Sequence, residues 1–490
     1  MIQMNKQRRI FRIANTLEVI TFFLIFSPLS LLAHQDSIQV TLHLRGVYQS
    51  DIKVESLLGT NAFKSVVESD GIKNGETRRL VIPKEILPGE FILRFDYKEK
   101  IESTPYPSEK KIFINNQDLE LWVSPMYSNN PDSTWFQKDE KENTLYAQFS
   151  RENSHLKEKL SLLQSFLMNY DDTNSKMYQI CIQEYEKRRQ SYNDWLKMKE
   201  KQDQSLFISN LYQFQFVSLV NWKGSEDERI NSMINHYFDG VTFKDPLIIR
   251  TSQLIKWMDN YVNLYGKKSL TKALRDSLLP EAGRNAVEKA KQGHPLVYGW
   301  MVDYFYRGYE TNSITSGMKI LEPYMNDPTC LTTKRLEIER RLKGIETLVP
   351  GSKAPDIVMN DLEGGVFDLN SFETPEQFIL LLFWSAGCNH CTETINSLYP
   401  WWQKPEVKEK IGVVDISLDE TETEINEWGK KVNDLKGWKH LHDKEGVRSK
   451  VASDYFVLAT PVMVLLDSKT KKIVGLPDNL YELQHAFDSR

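Results

Sequence analysis

A chain of 490 residues is too long for one ordinary hydrophobic core, so two to four domains are expected. Its composition, with 40% hydrophobic and 26% charged residues, is that of a globular protein. The net charge of −5 and the lack of a long basic block after the N-terminus argue against nucleic acid as a partner.

The first 33 residues have the pattern of a secretory signal peptide. Four cationic residues precede an apolar run from Val19 to Phe26, Pro28 ends that run, and Ala33 is a small residue at the expected cleavage point. The run is short for a membrane span, and an uncleaved N-terminal anchor is the alternative. Because no cysteine lies near the cleavage point, the sequence predicts an exported protein of the periplasm or cell envelope that is not a lipoprotein.

Residues 34–125 are predicted to form a small antiparallel β domain that resembles a sandwich. Apolar and polar residues alternate around Val40 and Leu93, as in strands with one buried face. Turn sequences such as Asn74-Gly75 separate these strands. The region shows no catalytic constellation, so a binding or spacer role is expected.

Residues 126–144 are polar and irregular and are predicted to be a linker. Residues 145–347 then carry apolar residues at helical spacing, which predicts an all-α middle domain. One helix is predicted to begin at Asp245 and Pro246, and its apolar face repeats every three or four residues until Gly266. No fixed repeat period indicates a solenoid.

The chain has four cysteines, too few for a disulfide scaffold even in an exported protein. Cys388 and Cys391 form a CxxC pair, whereas Cys181 and Cys330 lie far apart in the sequence. The distant two could form a disulfide bond after export, but two separate buried thiols are the favoured interpretation.

Residues 348–490 alternate between strand and helix patterns, which predicts an α/β domain. The continuous apolar run 379–384 is typical of a central strand that is buried on both faces. A second buried strand is predicted at 411–418, and a helix at 388–403. The CxxC pair therefore lies where the central strand gives way to a helix.

This position has chemical consequences for the two thiols. At a helix N-terminus, unpaired backbone N–H groups and the helix dipole stabilise a thiolate, which makes Cys388 the expected nucleophile. Cys391 lies one turn later on the same face and could resolve a mixed disulfide. His390 adds a group that can carry positive charge beside the Cys388 sulfur.

A structural disulfide and a metal site are the alternatives to a redox pair. A disulfide across two residues closes too short a loop to stabilise the fold much. A zinc site would need further ligands such as His440 or His442, which have the spacing of half-exposed residues on one face of a strand. Both cysteines and His390 are also crowded on one helical turn, so no metal or other cofactor is predicted.

The C-terminal segment contains several short motifs. They are Pro350-Gly351, Ala354-Pro355-Asp356, the hairpin at 361–369, Phe383-Trp384, the CxxC pair, Ser417-Leu418-Asp419 and Thr460-Pro461. Together they resemble the TlpA-like, redoxin-type thiol–disulfide oxidoreductases, which implies a thioredoxin-like fold for residues 350–490. In that family the proline at position 461 is cis and faces the CxxC pair, so Thr460 and Pro461 would form a substrate-side wall. The strand-rich start and helical middle also look like the layout of envelope redoxin proteins of Gram-negative bacteria.

The segment also departs from the family pattern. Gly387 stands where tryptophan is frequent, and Asn389-His390 replaces a Gly-Pro or similar pair. A histidine before the second cysteine resembles the more oxidising, DsbA-type relatives. Thr394 occupies the position of a glutamate that is the family's candidate proton acceptor. The Pro-x-x-x-Thr-x-x-Cys motif of a peroxiredoxin is not present before the first cysteine.

The sequence thus predicts an exported thiol–disulfide oxidoreductase that exchanges disulfides with envelope proteins and with a membrane-linked redox partner. The site residues are Cys388 as nucleophile, Cys391 as resolving thiol, His390, Asn389 and Trp384 as supporting residues, and Thr460 and Pro461 in the substrate groove. A second hypothesis is a multidomain envelope binding protein with a regulatory or degenerate redoxin module. The direction of exchange, the substrate and the oligomeric state stay open.

Overall fold

The structure is a computed structural model that describes residues 37–60, 62–128, 130, 133–362, 364–457 and 459–488. The predicted signal peptide, residues 1–33, lies outside the described residues. Along the rest of the chain, a strand-rich region, a helical region and an α/β region follow one another. This order confirms the predicted multidomain fold class, while the predicted domain boundaries stay predictions.

The N-terminal region is a β-sandwich. Its strands are β1 (Ser37–Leu44), β2 (Gln49–Leu58), β3 (Ala62–Lys73), β4 (Thr77–Pro83), β5 (Gly89–Lys98), β6 (Tyr106–Ile114), β7 (Leu119–Val123) and β8 (Thr134–Phe136). They form two four-stranded sheets with the orders β4-β1-β7-β8 and β3-β2-β5-β6. Neighbouring strands are antiparallel except for the parallel pair β1–β7. Val40 and Leu121 of one sheet share a core with Val54 and Leu93 of the other.

Strand β8 lies inside the segment 126–144 that the sequence predicts to be a linker, so that prediction is wrong in part. The strand pairs with β7 in antiparallel register, with Trp122 opposite Trp135. A strand of three residues is too short to show an alternating pattern, which is why the sequence does not reveal it. The first helix also begins before the end of that segment, at Glu142.

The middle region is helical, as predicted. Its helices are α1 (Glu142–Asn169), α2 (Lys176–Gln202), α3 (Ser209–Tyr212), α4 (Glu226–Asn235), α5 (Ser252–Lys268), α6 (Lys272–Lys291), α7 (Pro295–Thr311), α8 (Thr315–Met325) and α9 (Arg335–Thr347). All four cysteines of the chain are free, and Cys181 and Cys330 pack in two different cores of this region. Within the described residues, none of the helices combines the length and the apolar character that crossing a membrane requires.

Helix α5 begins later than its sequence pattern predicts. Residues Pro246–Arg250 form a 3-10 turn capped by Asp245, and α5 starts after it at Ser252 and runs beyond Gly266. A contact with the β-sandwich anchors this start, since the buried Glu90 carboxylate accepts hydrogen bonds from the Thr251 hydroxyl (2.7 Å) and the Ser252 backbone N–H (3.0 Å).

The C-terminal region is an α/β domain with a central five-stranded sheet. Its strands are β9 (Val358–Asn360), β10 (Val366–Asp368), β11 (Phe378–Trp384), β12 (Ile411–Ser417), β13 (Lys439–His442), β14 (Val462–Asp467) and β15 (Ile473–Gly475). Its helices are α10 (Asn389–Trp402), α11 (Pro405–Lys408), α12 (Glu422–Val432), α13 (Lys450–Asp454) and α14 (Leu480–Asp488). The sheet order is β13-β12-β11-β14-β15, with β11, β12 and β13 parallel and β14 antiparallel to β11.

Strand β11 is the centre of this domain. All seven of its residues are buried, which confirms the predicted central strand. Leu380 and Leu382 face one core, whereas Ile379 and Leu381 face the other, because successive side chains of a strand point to opposite faces. The strand therefore presents its carboxyl end, and the loop that follows it, from a rigid base.

Candidate active site

Cys388 lies at the start of α10, directly after the loop 385–387 that leaves β11. It is the N-cap residue of the helix, and the Cys391 backbone N–H donates a hydrogen bond to its sulfur, with an N···S distance of 3.1 Å. An N–H donor and the positive end of the helix dipole both stabilise negative charge on that sulfur. Cys388 is partly exposed, and its neighbours Gly387 and Asn389 are exposed, so a substrate can reach the thiol.

Cys391 lies behind Cys388 and is fully buried. The pKa of the Cys391 thiol is raised to about 12. Burial is the main cause, and the hydrogen bond with Cys388 contributes to the same shift. The two thiols thus differ in both access and acidity. This division matches the roles of an attacking thiol on the outside and a resolving thiol on the inside.

Iodoacetamide at pH 8 is expected to alkylate Cys388 at least about 100-fold faster than Cys391, because a thiol with so high a pKa has a minute thiolate fraction and no access to reagent. Peptide mapping by mass spectrometry over time measures both rates. In 8 M urea the two cysteines should react at similar rates. Equal labelling of both in the folded protein would contradict the described geometry.

Thr460 and Pro461 lie against Cys388, directly before β14. The bond between them is a cis peptide, and the Thr460 carbonyl oxygen is 3.6 Å from the Cys388 sulfur, which donates to it. The structure therefore brings together the CxxC pair and the predicted substrate-side wall. Thr460 and Pro461 are both half-buried, so this wall is partly open to solvent.

Asp419 holds the loop that carries Cys388. This buried carboxylate follows β12 and accepts hydrogen bonds from the Ser385 hydroxyl (2.6 Å), the Ala386 backbone N–H (2.9 Å) and the Ser417 hydroxyl (2.7 Å). The sequence shows Asp419 only as part of a family motif and indicates no task for it.

Lys431 of α12 supports the same loop from the other side. Its ammonium donates to the Ala386 carbonyl (2.9 Å) and to the Thr392 hydroxyl (2.8 Å). Sequence reasoning misses this residue, because a lysine on an amphipathic helix looks like an ordinary solvated side chain. Asp419 and Lys431 thus both hold the loop that leads into α10.

Trp384 forms part of a buried polar cluster beneath the loop. Its indole N–H donates to an Asp415 carboxylate oxygen at 2.9 Å, and the His440 ring contacts the other oxygen of the same carboxylate. Burial raises the pKa of the fully buried Asp415, while the His440 partner opposes that shift. The His440 ring is thus already paired with a buried carboxylate of the domain.

The histidines considered as zinc ligands all have other partners. The His442 ring bonds to the Asp419 carbonyl at 2.9 Å and lies beside Trp428. Across the described ranges, no group of three or more His, Cys, Asp or Glu side chains is arranged to hold a metal ion.

His390 and Asn389 are exposed on the first turn of α10. The His390 side chain is 72% exposed, and its Nδ1 lies 3.7 Å from the Glu393 carboxylate. The Thr394 hydroxyl donates to the His390 carbonyl at 2.9 Å, so this position contributes no acid. The effect of His390 on the Cys388 thiolate stays a prediction.

Comparison with known proteins connects this geometry to a family. The model of the AhpC/TSA family matches residues 350–474. Thiol-disulfide oxidoreductase ResA of Bacillus thuringiensis and the protein of the same name from Bacillus cereus are each 30% identical over 131 residues, which is 26% of this chain and 69% of the relative. Through its C-terminal domain, the chain belongs to the family of these ResA thiol-disulfide oxidoreductases.

Solved structures are also similar to part of this chain. A thioredoxin-like protein from Bacteroides caccae is 19% identical, with a TM-score of 0.39, over 56% of this chain and 98% of its own length. The thioredoxin domain of a thiol-disulfide oxidoreductase from Bacteroides vulgatus is 26% identical, with a TM-score of 0.25, over 29% of this chain and 97% of its own length. The family match includes the CxxC pair, Asp419 and Thr460-Pro461 of the redoxin domain, whereas the β-sandwich lies outside it.

Proposed function

We propose that this protein is a thiol–disulfide oxidoreductase that exchanges disulfides with polypeptides through Cys388 and Cys391. One observation carries the proposal. A partly exposed sulfur at a helix N-terminus accepts a backbone hydrogen bond, lies in front of a buried second thiol, and touches the carbonyl of Thr460 in the cis-proline wall. A substrate disulfide laid along that wall would meet Cys388 first.

The reaction proceeds in two exchanges. The Cys388 thiolate attacks one sulfur of the substrate disulfide, and the S–S electron pair leaves on the other substrate sulfur. Cys391 then loses its proton and attacks the Cys388 sulfur, which releases the second substrate thiolate and leaves a Cys388–Cys391 disulfide. The two protons of the dithiol pass to the two product thiols, and the substrate gains two electrons. The reverse sequence oxidises a substrate dithiol.

The resolving thiol must lose its proton before the second step. Burial and the hydrogen bond with Cys388 raise the pKa of Cys391, whereas Thr460 acts to lower it. Deprotonation of Cys391 is therefore the demanding part of the second exchange.

The proposed place of action is the cell envelope. The signal-like pattern of residues 1–33 supports export, and an exported protein meets disulfide-containing substrates. Each turnover changes the oxidation state of the CxxC pair, so a redox partner must restore it. A membrane-linked electron carrier is the partner that fits this compartment.

A trapping experiment tests the function. Reduced full-length protein with Cys391→Ser should form a stable mixed disulfide with a disulfide-bonded peptide, seen as a mass increase equal to one peptide half. The matched variant carrying both Cys388→Ser and Cys391→Ser should show no such increase. If both variants form the adduct equally, or neither does, the proposal is wrong and the multidomain binding protein is the better description.

A further inference from the structure

Helix α9 of the helical region packs against the redoxin domain beside its active site. Arg340 donates to the Ser453 hydroxyl (2.7 Å), and Arg341 donates to the Phe456 carbonyl (3.2 Å). Gly344 packs directly against Phe456, since a Cβ atom at this position would lie 2.4 Å from the Phe456 ring. The helix thus contacts the segment that leads to the cis-proline wall.

Phe456, within this segment, has an unusual backbone conformation. Its φ angle is +52°, in the left-handed region that a phenylalanine rarely adopts. The Arg341 hydrogen bond fixes its carbonyl, and the close approach of Gly344 accommodates its ring. The helical region therefore helps to shape the segment that precedes Thr460 and Pro461.

A cleft of about 350 Å³ lies between the two regions at this point. Ile314, Met318 and Ile345 line it from the helices, and Phe456, Pro461 and Leu476 line it from the redoxin domain. Arg341 and Asp478 provide polar groups among these apolar side chains. Its volume is at the lower end of the range for ligand pockets and suits one or a few apolar side chains.

Pro461 links the cleft to the wall beside Cys388. Pro461 lines the cleft, and the preceding Thr460 carbonyl is 3.6 Å from the Cys388 sulfur. A polypeptide that runs along the wall with its cysteine at Cys388 would direct neighbouring side chains toward this cleft. The adjacent Arg341 and Asp478 can bind the backbone polar groups of such a segment.

We propose that this cleft binds an apolar side chain that flanks the reacting cysteine of the substrate polypeptide. The inference rests on the proposed function and adds a substrate preference to it. It also assigns a task to the helical region, which forms half of the specificity cleft. Burial of one leucine-sized side chain on binding would favour such a substrate by about 10-fold or more.

The test measures single-turnover rate constants of the reduced full chain with three disulfides. One peptide disulfide has leucine and phenylalanine beside its cysteines, a second has serine and glycine there, and the third probe is hydroxyethyl disulfide. Leu476→Asp places a charge in the cleft from the redoxin side, and Thr315→Trp fills it from the helical side. Leu270→Asp is the matched control, because Leu270 is 84% exposed and does not line the cleft.

The wild type and Leu270→Asp should favour the apolar peptide about 10-fold, the equivalent of one buried leucine. Leu476→Asp and Thr315→Trp should each lose most of that preference and keep the hydroxyethyl disulfide rate within about twofold, since neither residue touches the sulfurs. Equal use of both peptides by the wild type, or full preference in both cleft variants, would overturn the cleft proposal and leave the oxidoreductase intact. A parallel loss with hydroxyethyl disulfide in both variants would overturn it as well. A wild type that reacts with none of the three contradicts the proposed function itself.

Discussion

Cys388→Ser is expected to lower the rate of disulfide reduction at least about 1,000-fold, because a hydroxyl is hardly ionised at pH 7 and cannot replace a thiolate. Cys391 cannot take over the attack, since it is fully buried and burial raises its pKa to about 12. The fold should be unaffected, because serine is a good N-cap residue for α10. Thiol release from a disulfide-bonded peptide in a single turnover measures the rate.

The matched control for this variant is Cys181→Ser, which removes a free thiol from the helical region. It should keep the wild-type rate. Cys391→Ser should also keep the first exchange, with release of one substrate thiol, and should fail only at the second. A Cys388→Ser protein that retains a tenth of the rate would contradict the assignment of Cys388 as the nucleophile.

Asp419→Ala is expected to destabilise the redoxin domain by about 3–5 kcal/mol, because it leaves three donors, two of them buried, without their charged acceptor. Two of these donors, the Ser385 hydroxyl and the Ala386 N–H, belong to the loop that leads to Cys388. Hydrogen exchange of the β11 amides measures the loss for this domain separately from the rest of the chain. The rate of disulfide reduction should fall by about 10- to 100-fold, because a nucleophile displaced by about 1 Å loses its alignment.

Asp434→Ala provides the control for this change, because Asp434 is exposed in the same domain. It should alter stability by less than about 0.5 kcal/mol, as surface substitutions do. Asp419→Asn keeps one carbonyl acceptor and should fall between the alanine variant and the wild type. If the alanine and asparagine variants both matched the Asp434 control, the loop would not depend on this carboxylate.

The sequence by itself determined those elements of the fold that depend on local patterns of residues. The unbroken apolar run of β11 indicates a strand buried on both faces, and residues spaced by three or four predict the helices of the middle region. The spacing of Cys388 and Cys391, just after that strand, placed the pair at a helix N-terminus. The family motifs added the position of Thr460 and Pro461, which the structure brings to the Cys388 sulfur.

Contacts between distant segments decided the rest. The three-residue strand β8 depends on pairing with β7, and the start of α5 depends on Glu90 of the β-sandwich. His440 has the spacing of a half-exposed strand residue, but its ring binds the buried Asp415. Each of these outcomes depends on a contact between separate elements, which leaves no periodic signal in the sequence.

In the candidate site, too, some features follow from the sequence and others only from the tertiary structure. Its reactive groups were determined by the sequence, because a CxxC pair after a buried strand at a helix start has limited chemical uses. The anchoring of its loop by Asp419 and Lys431, and the cleft that Ile314 and Leu476 line beside Pro461, were decided only by the tertiary structure. The physical reason is that a thiol's identity is a property of one residue, whereas support and specificity come from side chains that meet only after the domains pack.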